Sequence, residues 1–154
     1  MKLLKYALMV LFSVGMISCG GGGSDPVDES KPTASISSPG ATVEAGDNFN
    51  VSFSASDDMG LDSYRVQISL LTQTGMTVKT YQKFSFDSNS DKTDANDDLL
   101  PQITKGDKTA QISFPVSTSF GENTVAEKGM YKIIITVTDT ADKTNSIDKT
   151  FTIQ

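Results

Sequence analysis

Alternation of apolar and polar residues is the feature that most constrains how this chain can fold. The longest clean run is residues 131–137, where Tyr131, Ile133, Ile135 and Val137 occupy every second position. Successive side chains of a strand point to opposite faces, so the run predicts a strand with one buried face. Seven such segments are recognisable, at residues 34–38, 49–55, 63–70, 78–86, 110–116, 131–137 and 151–153. No helical period of useful length accompanies them, and we predict an all-β domain over residues 33–154.

Two residues refine the predicted strand order. Pro115 lacks the N–H that a central ladder needs, so its segment is expected at an edge or a bulge. Ile134 lies on the face opposite to Ile133 and Ile135, which favours a strand with neighbours on both sides. Turn signals at Pro39-Gly40 and Gly46-Asp47 separate the first segments. Together these features predict a β-sandwich.

The first 18 residues predict an export signal. Lys2 and Lys5 precede the mostly apolar stretch Tyr6–Ser18, which has 13 residues. A membrane-spanning helix needs about 20 residues, so this stretch is typical of a signal peptide. Residues 19–32 are rich in Gly, Ser, Asp and Pro without periodicity, and we interpret them as a flexible tether.

The end of the leader resembles the lipobox of bacterial lipoproteins. Met16-Ile17-Ser18-Cys19 places an apolar residue and two further residues before a cysteine, and Gly20–Gly23 follow. The resemblance implies that Cys19 becomes a lipidated N-terminus that anchors the protein in a membrane. Gly20, where inner-membrane lipoproteins carry Asp, implies the outer membrane, either surface-exposed or facing the periplasm. The alternative is an ordinary secretory signal with a leftover thiol, and in either case no second cysteine exists for a disulfide.

Charge and composition argue against two classes of function. Removing Lys2 and Lys5 from 13 basic residues leaves 11 against 19 acidic residues, a net charge of −8. An acidic surface repels phosphate backbones, so we expect no nucleic-acid partner. The chain has no His, which removes the usual general base near neutral pH. We therefore predict that the protein is not an enzyme.

Two segments resemble bacterial immunoglobulin-like domains of the PKD and cadherin-like kind. One runs from Ala55 to Tyr64, and the other from Gly129 to Asp139, with Asn145 after it. The likeness implies a seven-stranded immunoglobulin-like Greek-key β-sandwich over residues 33–154. The chain is also similar to an uncharacterised family of such lipoproteins, which implies a fold and a location but no activity.

A loop of about 22 residues, Asp87–Lys108, is long enough to suggest a function. Oxygen donors at alternate positions can enclose a calcium ion, although Lys92 stands where an EF-hand needs Gly. The candidate calcium ligands are Asp87, Asn89, Asp91, Asp94 and Asp98, with Asp97 as a substitute for the last. The alternative is a solvated acidic loop without a cofactor, and the sequence leaves both open.

The second half of this loop is apolar. Leu99, Leu100 and Ile103 flank Pro101, and such side chains are seldom left in water. They are predicted either to hold the loop on the sandwich or to form an exposed contact patch for binding.

Five other acids lie at predicted turns and are interpreted as caps of their own backbone. In cadherin-like domains, acids at loop ends bind calcium between consecutive domains, but the multi-residue motifs of that site are missing here. The five residues are Asp57, Asp58, Asp62, Asp139 and Asp142.

These features predict a non-catalytic, lipid-anchored binding or adhesion module of the cell envelope, which recognises a protein or a glycan. The alternative is a structural or accessory subunit of an envelope complex, stabilised by calcium.

Overall fold

The computed structural model describes residues 27–73 and 81–154, and these residues form strands and no helix. The predicted leader and Cys19 lie outside the described residues, as does 74–80. Within the described part of the chain, no helix is long and apolar enough to cross a membrane. The strands are β1 (Thr33–Ser38), β2 (Thr42–Val43), β3 (Asn48–Ser56), β4 (Leu61–Gln73), β5 (Tyr81–Gln82), β6 (Ser85–Asp87), β7 (Thr109–Ser117), β8 (Val125–Ala126), β9 (Gly129–Asp139) and β10 (Thr144–Ile153).

The strands form two larger sheets and one small one. The five-stranded sheet has the order β2-β10-β9-β4-β6, and the three-stranded sheet has the order β1-β3-β7. Strands β5 and β8 pair separately as a two-stranded sheet. The pairs within the two larger sheets are antiparallel, except that β2 runs parallel to β10.

The inward faces of the two larger sheets share one hydrophobic core, which is consistent with a β-sandwich. Val51 and Phe53 of β3 are buried in it together with Ile133 and Ile135 of β9. Burial of every second side chain explains the alternation in the sequence. The confirmed prediction is therefore the all-β class with alternating core positions.

Residues 27–73 and 81–154 form ten strands, whereas the sequence predicted seven. Within its described residues, the segment predicted at 78–86 holds two short strands, β5 and β6. Strands β2 and β8 have two residues each, too few for a period to be visible. Strand β10 begins at Thr144 and not at Phe151, because its whole length pairs with β9. Backbone pairing holds its polar first half, which has little apolar patterning.

Two finer predictions are confirmed. Pro115 lies in β7, an edge strand of the three-stranded sheet. Ile134 lies in β9, which is hydrogen-bonded to β4 on one side and to β10 on the other. The missing N–H of Pro115 and the apolar side chain of Ile134 on the outer face therefore indicated where the two strands lie in their sheets.

The two faces of β9 should respond differently to truncation. Ile135 is completely buried, so we expect Ile135→Ala to lower the free energy of unfolding by about 2–5 kcal/mol. Ile134 is half-buried on the outer face, and Ile134→Ala should cost about 1 kcal/mol or less. Urea unfolding measures both values. Equal losses would contradict the assignment of the buried face.

Candidate functional site

Three carboxylates from separate parts of the chain meet at one end of the sandwich. Asp57 directly follows β3, Asp139 is the last residue of β9, and Asp28 precedes β1. The ends of these strands are adjacent because Thr33 pairs with Ser56, and Leu61 pairs with Asp139. One carboxylate oxygen from each aspartate lies within 4.8 Å of those of the other two. We call these three residues the acidic cluster.

Each carboxylate of the acidic cluster uses one oxygen to cap a local turn. Asp57 Oδ2 accepts hydrogen bonds from the backbone N–H groups of Met59 (2.9 Å) and Gly60 (2.8 Å). Asp139 Oδ1 accepts from the N–H groups of Ala141 (2.8 Å) and Lys143 (2.9 Å). The prediction that these two acids cap turns is confirmed for these oxygens.

Asp28, in the segment before β1, also accepts hydrogen bonds with one carboxylate oxygen. Its Oδ1 accepts hydrogen bonds from the backbone N–H of Ser30 (2.9 Å) and from Lys143 Nζ (3.2 Å). Lys143 Nζ also donates to the backbone carbonyl of Asp28. The hairpin between β9 and β10 therefore holds this part of the chain against the domain.

The second oxygen of each carboxylate is buried and finds no hydrogen-bond donor among the described residues. These atoms are Asp28 Oδ2, Asp57 Oδ1 and Asp139 Oδ2. Asp139 is completely buried, Asp57 is 8% exposed, and the Asp28 side chain is 5% exposed. Buried carboxylates without partners are costly, and carboxylate oxygens are ligands for hard cations. Among the described residues, these three therefore form a group that can hold a metal ion.

Close backbone packing keeps the turn of Asp57 in place. Gly60 has a φ of +128°, and a Cβ there would lie 2.8 Å from the Gly106 carbonyl oxygen. The Gly60 carbonyl accepts from Thr140 N at 2.9 Å, which ties this turn to the hairpin of Asp139. A side chain at position 60 would separate these segments, so glycine is required.

The acids of the long loop are placed differently. Asp87 Oδ1 accepts from Arg65 Nε at 3.0 Å, and the guanidinium also binds Asp87 Oδ2. These hydrogen bonds lower the pKa of Asp87 to about 2. Asn89 donates its backbone N–H to Asp87 Oδ1 at 3.1 Å. Asp87 therefore already has a cation beside it.

Two of the remaining predicted calcium ligands, Asp91 and Asp94, cap the loop's own turns. Asp91 Oδ2 accepts from Asp87 N at 2.7 Å. Asp94 Oδ1 accepts from Asn96 N at 2.7 Å and from Asp98 N at 3.3 Å. Within residues 27–73 and 81–154, the long loop holds no group of three carboxylates as close as the acidic cluster. Calcium binding by the long loop stays a prediction.

The apolar half of the loop divides between core and solvent. Leu100 is buried and Ile103 packs against the core, whereas Leu99 is 80% exposed. Tyr64 OH donates to the Pro101 carbonyl at 2.6 Å, and burial raises the pKa of Tyr64 to about 12. Of the three side chains, Leu99 is therefore the most available for contact with a partner.

A cleft of about 450 Å³ opens between the first half of the long loop and the end of β7. Phe84, Phe86 and Phe120 line it together with the loop residues from Ser90 to Ala95. The Phe84 and Phe120 rings have centroids 6.2 Å apart, and Phe120 is 39% exposed. Because Phe84 and Phe86 are buried, Phe120 is the ring that the cleft exposes, beside polar groups of the loop. A ring beside polar groups can hold a sugar ring or an apolar side chain.

Sequence reasoning missed parts of both sites. Asp57 and Asp139 follow alternating strands, and that position signalled a turn but gave no sign that the two residues meet. Asp28 had no signal, since it lies in a segment without periodicity. Phe120 lies beyond the strand predicted at residues 110–116, where no pattern indicates a binding site.

Comparisons with known proteins do not identify the chain. No family model matches it, and no curated protein matches it. Among solved structures it is similar to the alkylpurine DNA glycosylase of Pseudomonas fluorescens bound to DNA with an abasic-site analogue, at 11% identity and a TM-score of 0.48. That match covers 82% of this chain and 31% of the other. It is also similar to the β-glucosidase of Listeria innocua in complex with isofagomine, at 11% identity and a TM-score of 0.41. There, 81% of this chain and 16% of the other are covered. The chain thus spans less than a third of either protein, and such distant likenesses carry no argument about its activity.

Removal of Arg65 should raise the pKa of Asp87. Since folding lowers that pKa, the stabilisation from the pair is present above pH of about 4 and is lost as the pH falls through about 2. We expect Arg65→Gln to return the pKa of Asp87 towards its ordinary value, as measured by NMR titration of the carboxyl carbon. Asp62, whose pKa is lowered by Lys105, serves as an internal control. An unchanged Asp87 titration would contradict the pairing.

Proposed function

We propose that the protein is a non-catalytic, lipid-anchored binding module of the cell envelope, built on an immunoglobulin-like Greek-key β-sandwich. The observation that carries the proposal is where the cleft lies relative to the anchored end. The chain enters beside Asp57 and Asp139, where β3 ends and β7 begins. Ser117 and Phe120, which line the cleft, lie at and beyond the other end of β7. The cleft is therefore presented away from the segment that leads to Cys19.

The chemistry of the cleft supports a protein or glycan as the ligand. Phe120 offers a partly exposed ring, and Phe84 lies against it. Asp91, Ser117 and Ser119 add a carboxylate and hydroxyl groups to the lining. An aromatic face stacks on a sugar ring or on an apolar side chain, and the polar rim selects its orientation.

Catalysis is not part of the proposal. The chain contains Ser and Thr hydroxyl groups but no His that would activate them. Asp87 of the long loop is paired with Arg65, which favours its charged form. A general acid near neutral pH needs the opposite environment.

Partner capture tests the cleft. The whole chain is immobilised and exposed to envelope extract, and enriched proteins and glycans are identified by mass spectrometry. Phe120→Ser should abolish the enrichment because it removes the exposed ring. The matched control is Met130→Ser, since Met130 is 45% exposed on β9 and does not line the cleft. No enrichment by the unaltered chain would overturn the proposal, and loss in both variants would remove the cleft from it.

Lipidation of Cys19 is tested separately. Cells fed an alkyne-labelled fatty acid should incorporate the label into the unaltered protein and not into the Cys19→Ser variant. The variant should also leave the membrane fraction, since several acyl chains are what make such an anchor stable. Equal labelling of the two proteins would contradict lipidation at this residue. Protease treatment of intact cells then distinguishes surface exposure from a periplasmic orientation.

A further inference from the structure

We propose that the acidic cluster of Asp28, Asp57 and Asp139 binds one calcium ion, which fastens the segment before β1 to the base of the domain. The inference goes beyond the proposed binding function, because it requires no partner and concerns the opposite end of the sandwich.

The distribution of hydrogen bonds carries the proposal. In each aspartate one oxygen caps a turn, and the other is buried without a donor among the described residues. If the three carboxylates served only as caps, their second oxygens could face water at no cost. Each is buried instead, although the three carboxylates, from positions far apart in the chain, lie within 4.8 Å of one another. Such an arrangement is unfavourable unless a cation joins it.

The local charge matches a divalent ion. Three carboxylates contribute −3, and Lys143 contributes +1 through its contacts with Asp28 Oδ1 and the Asp28 carbonyl. The net charge of −2 is the charge that Ca²⁺ neutralises. Lys143 is bonded to the Asp28 oxygen that caps the turn, so the three oxygens without a donor in residues 27–73 and 81–154 are left for the ion.

The ligand type and spacing favour calcium. All three ligands are carboxylate oxygens, which suit hard cations and not zinc. Calcium–oxygen distances are about 2.3–2.6 Å, so two ligands on opposite sides of one ion are about 5 Å apart. The separations of at most 4.8 Å within the cluster fit this limit. Magnesium requires a shorter, near-octahedral shell, which three ligands from three separate segments would satisfy less readily.

Calcium would change the connection between anchor and domain. Asp28 lies five residues before β1, in the segment that leads back to Cys19. A shared ion would fix that segment to the turn after β3 and to the end of β9. The direction in which the domain leaves the membrane would then depend on calcium.

Thermal unfolding of the whole chain in mild detergent tests the site. We expect millimolar Ca²⁺ to raise the midpoint by several degrees relative to EDTA, and Mg²⁺ to raise it less. The Asp57→Asn and Asp139→Asn variants should lose this response. In EDTA they should be at least as stable as the unaltered chain, because the amide keeps the turn cap and relieves the crowding of charges. A purely structural role predicts the opposite, a loss of stability both with and without calcium.

The matched control is Asp91→Asn in the long loop, which keeps an acceptor for Asp87 N and should leave the calcium response unchanged. Superimposed curves for the unaltered chain in EDTA and in Ca²⁺ would overturn the proposal. So would a response that Asp91→Asn abolishes and Asp57→Asn retains, since that result places the ion in the long loop.

Proteolysis tests the fastening of the segment. Cleavage by a glutamate-specific protease after the exposed Glu29 should slow several-fold when Ca²⁺ is added, because Glu29 adjoins Asp28. Cleavage after the exposed Glu44 and Glu122, which lie outside the acidic cluster, serves as the internal control. A thermal response with unchanged cleavage after Glu29 would overturn the fastening and leave only the ion site.

Discussion

Strand β9 is the element on which the rest of the structure depends. Its inward side chains, among them Tyr131, Ile133 and Ile135, are completely buried, and it pairs along its length with both β4 and β10. Its two ends are fixed as well. Gly129 begins it where a Cβ would collide with the Thr72 carbonyl oxygen, and Asp139 ends it in the acidic cluster. The packing of one strand therefore sets the position of that cluster.

The long loop shows how local partners compete with a possible ligand. Asp91 and Asp94 are within reach of backbone N–H groups two to four residues away, and those bonds need little ordering of the chain. Arg65 from β4 forms an ion pair with Asp87 and supplies the positive charge that a bound metal ion would otherwise provide. Leu100 and the Tyr64 hydroxyl then hold the other half of the loop against the core. A loop rich in acids can thus be ordered by its own contacts.

The acidic cluster is the reverse case. Its members also cap turns, but close packing around Gly60 and the hairpin of Asp139 buries the carboxylate oxygens that do not take part in the caps. Hydrogen bonds within a turn satisfy one oxygen of each carboxylate. A partner for the other oxygen has to come from segments that the fold places beside it. The difference between the two sites lies in burial and not in the number of acids.

The sequence by itself determined the all-β class, the buried face of the long alternating strands β3, β4, β7 and β9, the central position of β9, and that Pro115 lies at an edge or a bulge. All of these follow from a period of two and from the missing N–H of proline, which are properties of neighbouring residues. It also offered two roles for the apolar half of the long loop, and burial of Leu100 selects the core for that residue.

Only the tertiary structure decided that Asp28, Asp57 and Asp139 meet, and that Asp87 belongs to Arg65. Proximity between distant segments depends on strand pairing and on where the chain enters the domain, and neither leaves a local pattern. The strands β2 and β8 have two residues each, which is too few to show a period, and their partners lie far away in the chain.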